Sequence, residues 1–396
     1  MAKKKIKTSD LKGAKYLKKI MALLKTLHGV AADPLRPNKR TLHMDEYAAM
    51  LLMYMFSPMC DSLRSIQRSS ELKNVCKKFG FKRTGLSTLS DAQHVFDSSL
   101  LEPLIEMLFS QVQGLSQKPL YRLDSEIILV DGTVIPAIKE MLWAVYGSKG
   151  DNKALKCHFL YNLNNNVPIF TKVTSANVSE KKVLTELLEK GKCYVMDRGY
   201  AAMELMRSII SSESSFVLRI KDNSRFEVIE ERELSKKALD ADIVRDAVVT
   251  LGTAEKVEKI RIIEVACSPH PKSTQKGRGG PGQGETILIA TNELDLPATM
   301  ISAIYSSRWE IEIFFRYFKH LLGCNHLLCH TENGVRLEMN IAIIACMLIM
   351  LWTEKKPTKA TLEVLQYYML GLADDEDLEN HINRLKAIEN KKLKKS

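Results

Sequence analysis

The spacing of apolar and polar positions divides the chain into regions of different texture. From residue 10 to about 115, apolar residues recur at helical spacing between short polar turns. An amphipathic stretch runs from Asp10 to about His28, Met44 to Met59 is rich in Leu and Met, and a shorter helix follows Asp61 through Cys76. Lys77, Lys78, Lys82, Arg83 and Thr84 then make a basic turn broken by Gly80 and Gly85. Ser87, Thr88 and Ser90 offer N-caps for a helix from Asp91. Helix, basic turn, capped helix suits a helix-turn-helix module as well as plain helix packing, and the basic surroundings favour DNA.

From Ser125 the pattern becomes strand-like. Glu126-Ile127-Ile128-Leu129-Val130 is a continuous apolar run, as a strand buried on both faces requires, and Asp131-Gly132-Thr133 is expected to end it. Residues 154–162 and 167–174 read as two strands joined by the Asn-rich turn Asn162 to Asn166. Ser179 caps a helix from about Glu180 to Lys190, which Gly191 stops. Cys193 to Met196 is another apolar strand, followed by Asp197-Arg198-Gly199-Tyr200, a helix over 201–211 and a strand from Phe216 to Ile220.

Three strands, helix, strand, helix, strand is the ribonuclease-H-like order. The expected fold is α/β: a mixed five-stranded sheet with flanking helices, an all-α N-terminal domain and a β-rich insertion. The expected boundaries are 1–115 for the helical, basic domain, 120–221 and 298–355 for the core, and 222–297 for the insertion. Residues 356–396 are expected to be a helical C-terminal region with a basic tail. Within the insertion, 245–252, 257–267 and 286–291 are strand-like, and Lys272 to Gly284 is a loop rich in Gly, Lys and Arg. A single helix is then expected from about Ala298 through His320.

Charge adds a partner. The net charge is +11, and residues 1–40 hold twelve Lys or Arg against two Asp, a surplus of ten. Such a basic block favours a polyanion, because each neutralised phosphate releases counterions. Lys391, Lys392, Lys394 and Lys395 near the other end suit a solvated tail. Eight cysteines without paired short spacings argue against a disulfide scaffold and for an intracellular protein. The polar N-terminus lacks a signal-peptide core. Ile341 to Trp352 falls short of the roughly 20 residues a membrane span needs, so it is expected to be a buried helix.

Candidate chemistry lies at the strand ends. Asp131 and Asp197 each follow an apolar strand and precede a Gly-containing turn. Carboxyl ends of strands are where α/β sheets place ligands, and paired carboxylates suit Mg²⁺, a hard ion that takes oxygen ligands. Asp-Gly after a strand is also a common turn. On a helix turning about 100° per residue, Tyr305, Arg308, Glu312 and Lys319 fall within roughly a 60° stripe, with Trp309 and Arg316 at its border. Glu310 projects some 160° away from Glu312 by the same geometry and cannot share that face. Cys324, His326, Cys329 and His330 lie close together but lack the second ligand pair of a structural zinc site. The loop Gly277 to Gly284 has no Lys-Ser or Lys-Thr ending, so it is not a P-loop.

Asp131-Gly-Thr, Asp197-Arg-Gly-Tyr and the spacing Tyr305-x₂-Arg308-x₃-Glu312-x₆-Lys319 resemble the DDE transposases of bacterial insertion sequences, the insertion-sequence-four family with a Tyr-Arg-Glu-Lys signature. The motifs span residues 126–320, about half of the chain. The resemblance implies that Asp131, Asp197 and Glu312 hold two Mg²⁺ ions, for which Mn²⁺ can substitute. One ion would activate water or a 3′-hydroxyl and the other would stabilise the leaving oxygen. It implies that Tyr305, Arg308, Lys319 and Arg316 contact DNA, and that Trp309 is the candidate to hold a flipped base if cutting proceeds through a hairpin. The implied activity is cut-and-paste excision and integration by phosphodiester hydrolysis and strand transfer. The implied partners are double-stranded DNA with terminal inverted repeats, target DNA, and a second copy of the chain in a synaptic homodimer; no membrane is implied. The implied location is a bacterial cytoplasm. The alternative is a transposase-derived DNA-binding protein without catalysis. Lys156-x-His158 also resembles a family feature, by which His158 would approach the metal crevice, although a histidine paired within the sheet explains it better.

Overall fold

A computed structural model describes residues 22, 24–28, 41–115, 123, 125–147, 152–253, 256–267, 286–321 and 327–393. Most of the basic stretch over 1–40, the Lys272 to Gly284 loop, Cys324 and His326 lie outside them. The N-terminal helices are α1 (Met44–Phe56), α2 (Leu63–Ser69), α3 (Lys73–Phe79), α4 (Leu86–Val95) and α5 (Glu102–Gln113). Next come β1 (Glu126–Pro136), β2 (Val145–Tyr146), β3 (Asn152–Asn162), β4 (Val167–Ser175), α6 (Glu180–Glu186), β5 (Lys192–Met196), α7 (Met203–Ser211) and β6 (Ser215–Arg219). Then follow β7 (Glu227–Glu231), α8 (Lys236–Leu239), β8 (Ile243–Thr253), β9 (Lys256–Ala266) and β10 (Thr286–Thr291). The chain closes with α9 (Ala298–Ser306), α10 (Trp309–Leu321), α11 (Glu332–Thr353), α12 (Lys359–Leu370) and α13 (Asp375–Leu393).

The apolar runs became strands for the expected reason. Along β1, Ile127 and Leu129 enter one core cluster and Ile128 and Val130 the other, so successive side chains serve opposite faces of the sheet. The first cluster joins the sheet to α9–α12 and the N-terminal helices, with α11 at its centre; the second joins it to α6 and α7. Helix α11 is long and apolar enough to cross a membrane, but 94% of its apolar window is buried inside the protein. It is the buried helix expected around Ile341 to Trp352.

Four expectations change. First, among the described residues the sheet has ten strands rather than five: β2 and β4 both pair with β3, and β3-β1-β5-β6 continues through β10, β9, β8 and β7. Antiparallel pairing of Thr291 with Val217 and Ile289 with Arg219 joins β10 to β6, so β7 to β10 extend the same sheet. Second, β1 does not end at Asp131. It runs on to Pro136 because β3 pairs with it antiparallel as far as Ala154, a partner distant in sequence. Third, residues 61–76 give two helices, and α4 starts at Leu86 with Gly85 as its N-cap, ahead of the serines expected to cap it.

Fourth, residues 298–320 are two helices. The Ser306 and Ser307 hydroxyls donate to the Ser302 and Ala303 carbonyls at 2.9 and 3.0 Å, competing with the helical ladder. Arg308, Glu310 and Ile311 N–H groups then bond three residues back, to Tyr305, Ser307 and Arg308 carbonyls. These tightened turns separate α9 from α10.

Candidate active site

Three strands set the floor of the site. β1, β5 and β6 are adjacent and parallel, with Leu129 opposite Val195 and Val195 opposite Val217. Asp131 and Asp197 each lie two residues beyond that row. Asp131 therefore lies on the face of the sheet on which Leu129 and Val195 meet the helical cluster, and Asp197, just past the end of β5, lies near enough to act on its carboxyl. Asp131 sits inside a strand, yet at the carboxyl edge of the parallel part, because β5 leaves the sheet after Met196 while β1 continues.

Both aspartates are oriented by neighbouring backbone. Asp131 accepts from the Gly132 N–H at 2.7 Å and Asp197 from the Gly199 N–H at 2.8 Å. Burial pushes the Asp131 carboxyl up to about 7; Asp197 and Glu180 add to the rise, and the Gly132 N–H and Arg308 oppose it. Behind this edge, Lys156 pairs with Glu180 at 3.1 Å. A Cβ at Gly132 would come within 2.8 Å of the Glu180 carboxylate, the movable end of a flexible side chain. The Tyr200 hydroxyl is buried without a hydrogen-bond partner, and its pKa is raised by burial and by the charges of Glu180, Asp131 and Asp197.

Helices α9 and α10 supply the roof. The Arg308 guanidinium lies 2.6 Å from Glu312 and 3.7 Å from Asp131, and its side chain is only 17% exposed. Burial raises the pKa of the Tyr305 hydroxyl, while Arg308 and Arg219 act against that rise. Trp309, the first residue of α10, is 54% exposed and offers its indole to solvent beside Arg308. Lys319 is partly buried, near enough to β3 to act on the Cys157 thiol. Glu310 turns away from Glu312 and pairs with Lys356 at 2.7 Å, as the helical projection requires. Arg316 is exposed and lines a recess with Glu310 and Lys356.

Three residues named in the sequence take other roles. His158 lies opposite Gly132 on β3, its Nε2 2.9 Å from the Thr174 hydroxyl. Burial and the nearby Lys156 and Lys172 push it down to about 4, so it is neutral near pH 7. Cys329 is buried 3.5 Å from the Tyr47 hydroxyl, and the His330 N–H donates to Gln93. Arg219 and Glu180 were not singled out from the sequence. Arg219 ends a buried apolar strand, a position that gains meaning only once its register beside β5 is known.

The donor set fits hard divalent cations. Three carboxylates are available, and a bound cation would favour the ionised form of buried Asp131. The side chains as they stand do not form a closed cage. Among the described residues no group of three His, Cys, Asp or Glu gathers closely enough to hold a metal, and Arg308 links two of the three carboxylates.

Comparison with known proteins bears on this geometry. The family model described as "Transposase DDE domain" matches residues 122–348, more than half of the chain. A protein of Sinorhizobium fredii named as a transposase is 32% identical over 225 residues, covering 56% of this chain and 59% of that relative. The match thus spans less than two thirds of that relative's length. A protein of Geobacillus stearothermophilus, named as a transposase for an insertion sequence element, is 25% identical over 73% of each chain. A similarly named protein of Synechocystis is 23% identical over 76% of this chain and 82% of its own. The piggyBac transposase synaptic complex with hairpin DNA has 11% identity and a TM-score of 0.41 over 94% of this chain and 78% of that one, too remote to bear on the fold.

Proposed function

The chain belongs to the transposase DDE domain family, and from that premise we propose that it is a DNA transposase that cuts and rejoins the ends of an insertion sequence. The observation that carries this reading is the placement of Asp131 and Asp197 two residues beyond the paired Leu129 and Val195 of neighbouring parallel strands, with Glu312 brought towards them through Arg308. The strand order β4-β3-β1-β5-β6, with β1, β5 and β6 parallel, supports a ribonuclease-H-like core extended by the strands of 222–297.

In this reading Asp131, Asp197 and Glu312 are the catalytic carboxylates and hold two divalent ions, Mg²⁺ or Mn²⁺. When bound, the metal supplies charge stabilisation for in-line displacement at phosphorus. The protein's own residues bind and orient the DNA. Arg308 exchanges its carboxylate partners for a backbone phosphate, to which a guanidinium presents a fork of donors. Lys319 adds a second cationic contact and the Tyr305 hydroxyl a neutral one. Arg316, exposed on the neighbouring surface, reaches DNA leaving the site. Trp309 stacks on a base turned out of the duplex, which its exposure permits.

The partners are double-stranded DNA bearing the element's terminal repeats, target DNA and a second copy of the chain, and the place of action is the cytoplasm. The test is strand transfer. A pre-cut duplex ending at the element terminus, incubated with the protein, Mg²⁺ and supercoiled plasmid, should be joined to the plasmid through its 3′ end. End binding without joining or cutting would favour the DNA-binding alternative.

A further inference from the structure

The row that contains the two aspartates has a third member. Val217 on β6 stands opposite Val195 on β5, as Val195 stands opposite Leu129 on β1. Two residues beyond each lie Asp131 on β1, Asp197 just past the end of β5, and Arg219 at the end of β6. Asp131 and Arg219, within their strands, share the parity of Leu129 and Val217 and so point to the face covered by α9 and α10, and Arg219 and Asp197 both lie close enough to act on the Tyr305 hydroxyl. A guanidinium is thus aligned with two carboxylates at one sheet edge.

Arg219 has weak protein partners. Its ion pair is with Asp222 at 3.9 Å, near the outer limit of such contacts, and Asp222 is 60% exposed and shared with Arg198. Its Nε is buried and has no hydrogen-bond partner. Leaving a buried donor unsatisfied is costly, and native structures leave few. Arg261 shows the contrast: a purely structural arginine here binds both Asp246 oxygens and two main-chain carbonyls. Arg219 also lies close enough to Tyr305 to act on its hydroxyl, and its side chain remains 24% exposed. A structural ion pair explains neither the orphaned Nε nor the alignment with the aspartates.

We propose that Arg219 binds a backbone phosphate of the DNA end, on the Asp197 side of the site, opposite the contact made by Arg308. The proposal rests on the transposase reading and adds a binding residue from β6, outside the signature helix. The Arg308 and Arg219 guanidinia then bracket the DNA backbone from the roof and the floor, with the carboxylates between them.

The experiment compares wild type with Arg219→Gln, Arg219→Lys, Asp222→Asn and Asp131→Ala. The DNA is a duplex carrying the element terminus, read from the sequence flanking the open reading frame. Binding across a salt series without divalent ions should show Arg219→Gln reducing the log–log slope by about 0.9, the value for one phosphate contact on duplex DNA. Arg219→Lys should retain the slope, and Asp222→Asn should tighten binding by releasing Arg219. With Mg²⁺, cutting by Arg219→Gln should fall about tenfold or more, comparable to 1.4 kcal/mol. An unchanged slope in Arg219→Gln, with wild-type melting temperature, overturns the proposal. If Arg219→Gln fails to fold, weaker binding by Asp222→Asn overturns it instead, because the pair is then structural. The underlying reading fails separately: if Asp131→Ala cuts normally while Arg219→Gln loses slope, the phosphate contact stands and the carboxylate assignment falls.

Discussion

Arg308 reaches across a single helical turn to Glu312 at 2.6 Å and across to the sheet at Asp131, 3.7 Å away. One guanidinium therefore ties the roof of the site to its floor and keeps two carboxylates together without a metal. If the site takes DNA as proposed, this cation is already held where the phosphate charge would arrive.

Glu312→Gln keeps an acceptor for Arg308 and removes the charge. Strand cleavage should fall by more than about 100-fold, the upper range for losing even an outer-shell partner of a metal site. Binding to DNA ends should persist. Gel assays of cutting and of binding separate the two, and cutting at wild-type rate would remove Glu312 from the metal site.

Lys319→Ala should weaken the DNA complex and flatten its salt dependence by about one charge. The reading comes from the same titration used for binding. A slope identical to wild type would place Lys319 in the packing of α10 against β3 and not on phosphate.

The pair Asp246–Arg261 is buried, and Arg261 also donates to the Leu294 and Leu296 carbonyls just before α9. Arg261→Met strands a buried carboxylate, so urea unfolding should show a loss of roughly 3–5 kcal/mol. Adding Asp246→Leu should recover much of it. A single variant as stable as wild type would show that the pair does not anchor this segment.

Glu338 is fully buried and pushed up to about 8 by that burial, against the opposing N–H groups of Leu328 and Cys329. Between its ordinary 4.5 and about 8 the folded protein holds a proton that the unfolded chain has lost. Stability should therefore fall as pH rises through that window. Glu338→Gln should flatten the decline in a series of melting curves from pH 5 to 8. An equally steep decline in the variant would assign it to other groups.

Much of the core was legible because its strands are buried on both faces and therefore read as apolar runs. Ile127 to Val130, Cys193 to Met196 and Phe216 to Ile220 needed no partner to be recognised. Their pairing was less legible. That β1 continues past Asp131 depends on β3, and that β6 accepts β10 depends on residues more than 60 positions away. The break at Ser307 has neither Gly nor Pro to announce it; two consecutive serines compete for carbonyls, a signal easily lost within an amphipathic pattern. Tyr305 therefore ends one helix while Arg308 stands in the turn before the next, and the single stripe is broken between them. Arg219 was missed because a lone arginine at a strand end means little until its register is known.

The measurement closest to the central claim is cleavage of a duplex spanning the junction between element terminus and flanking DNA. Wild type and Asp131→Ala would be assayed in Mg²⁺, in Mn²⁺ and in a chelator. Cutting at the boundary by wild type with either metal, absent with chelator and absent from the variant, is the predicted result. Boundary cutting that persists in Asp131→Ala, or in the presence of chelator, would contradict the assignment of these carboxylates to metal-dependent strand cleavage.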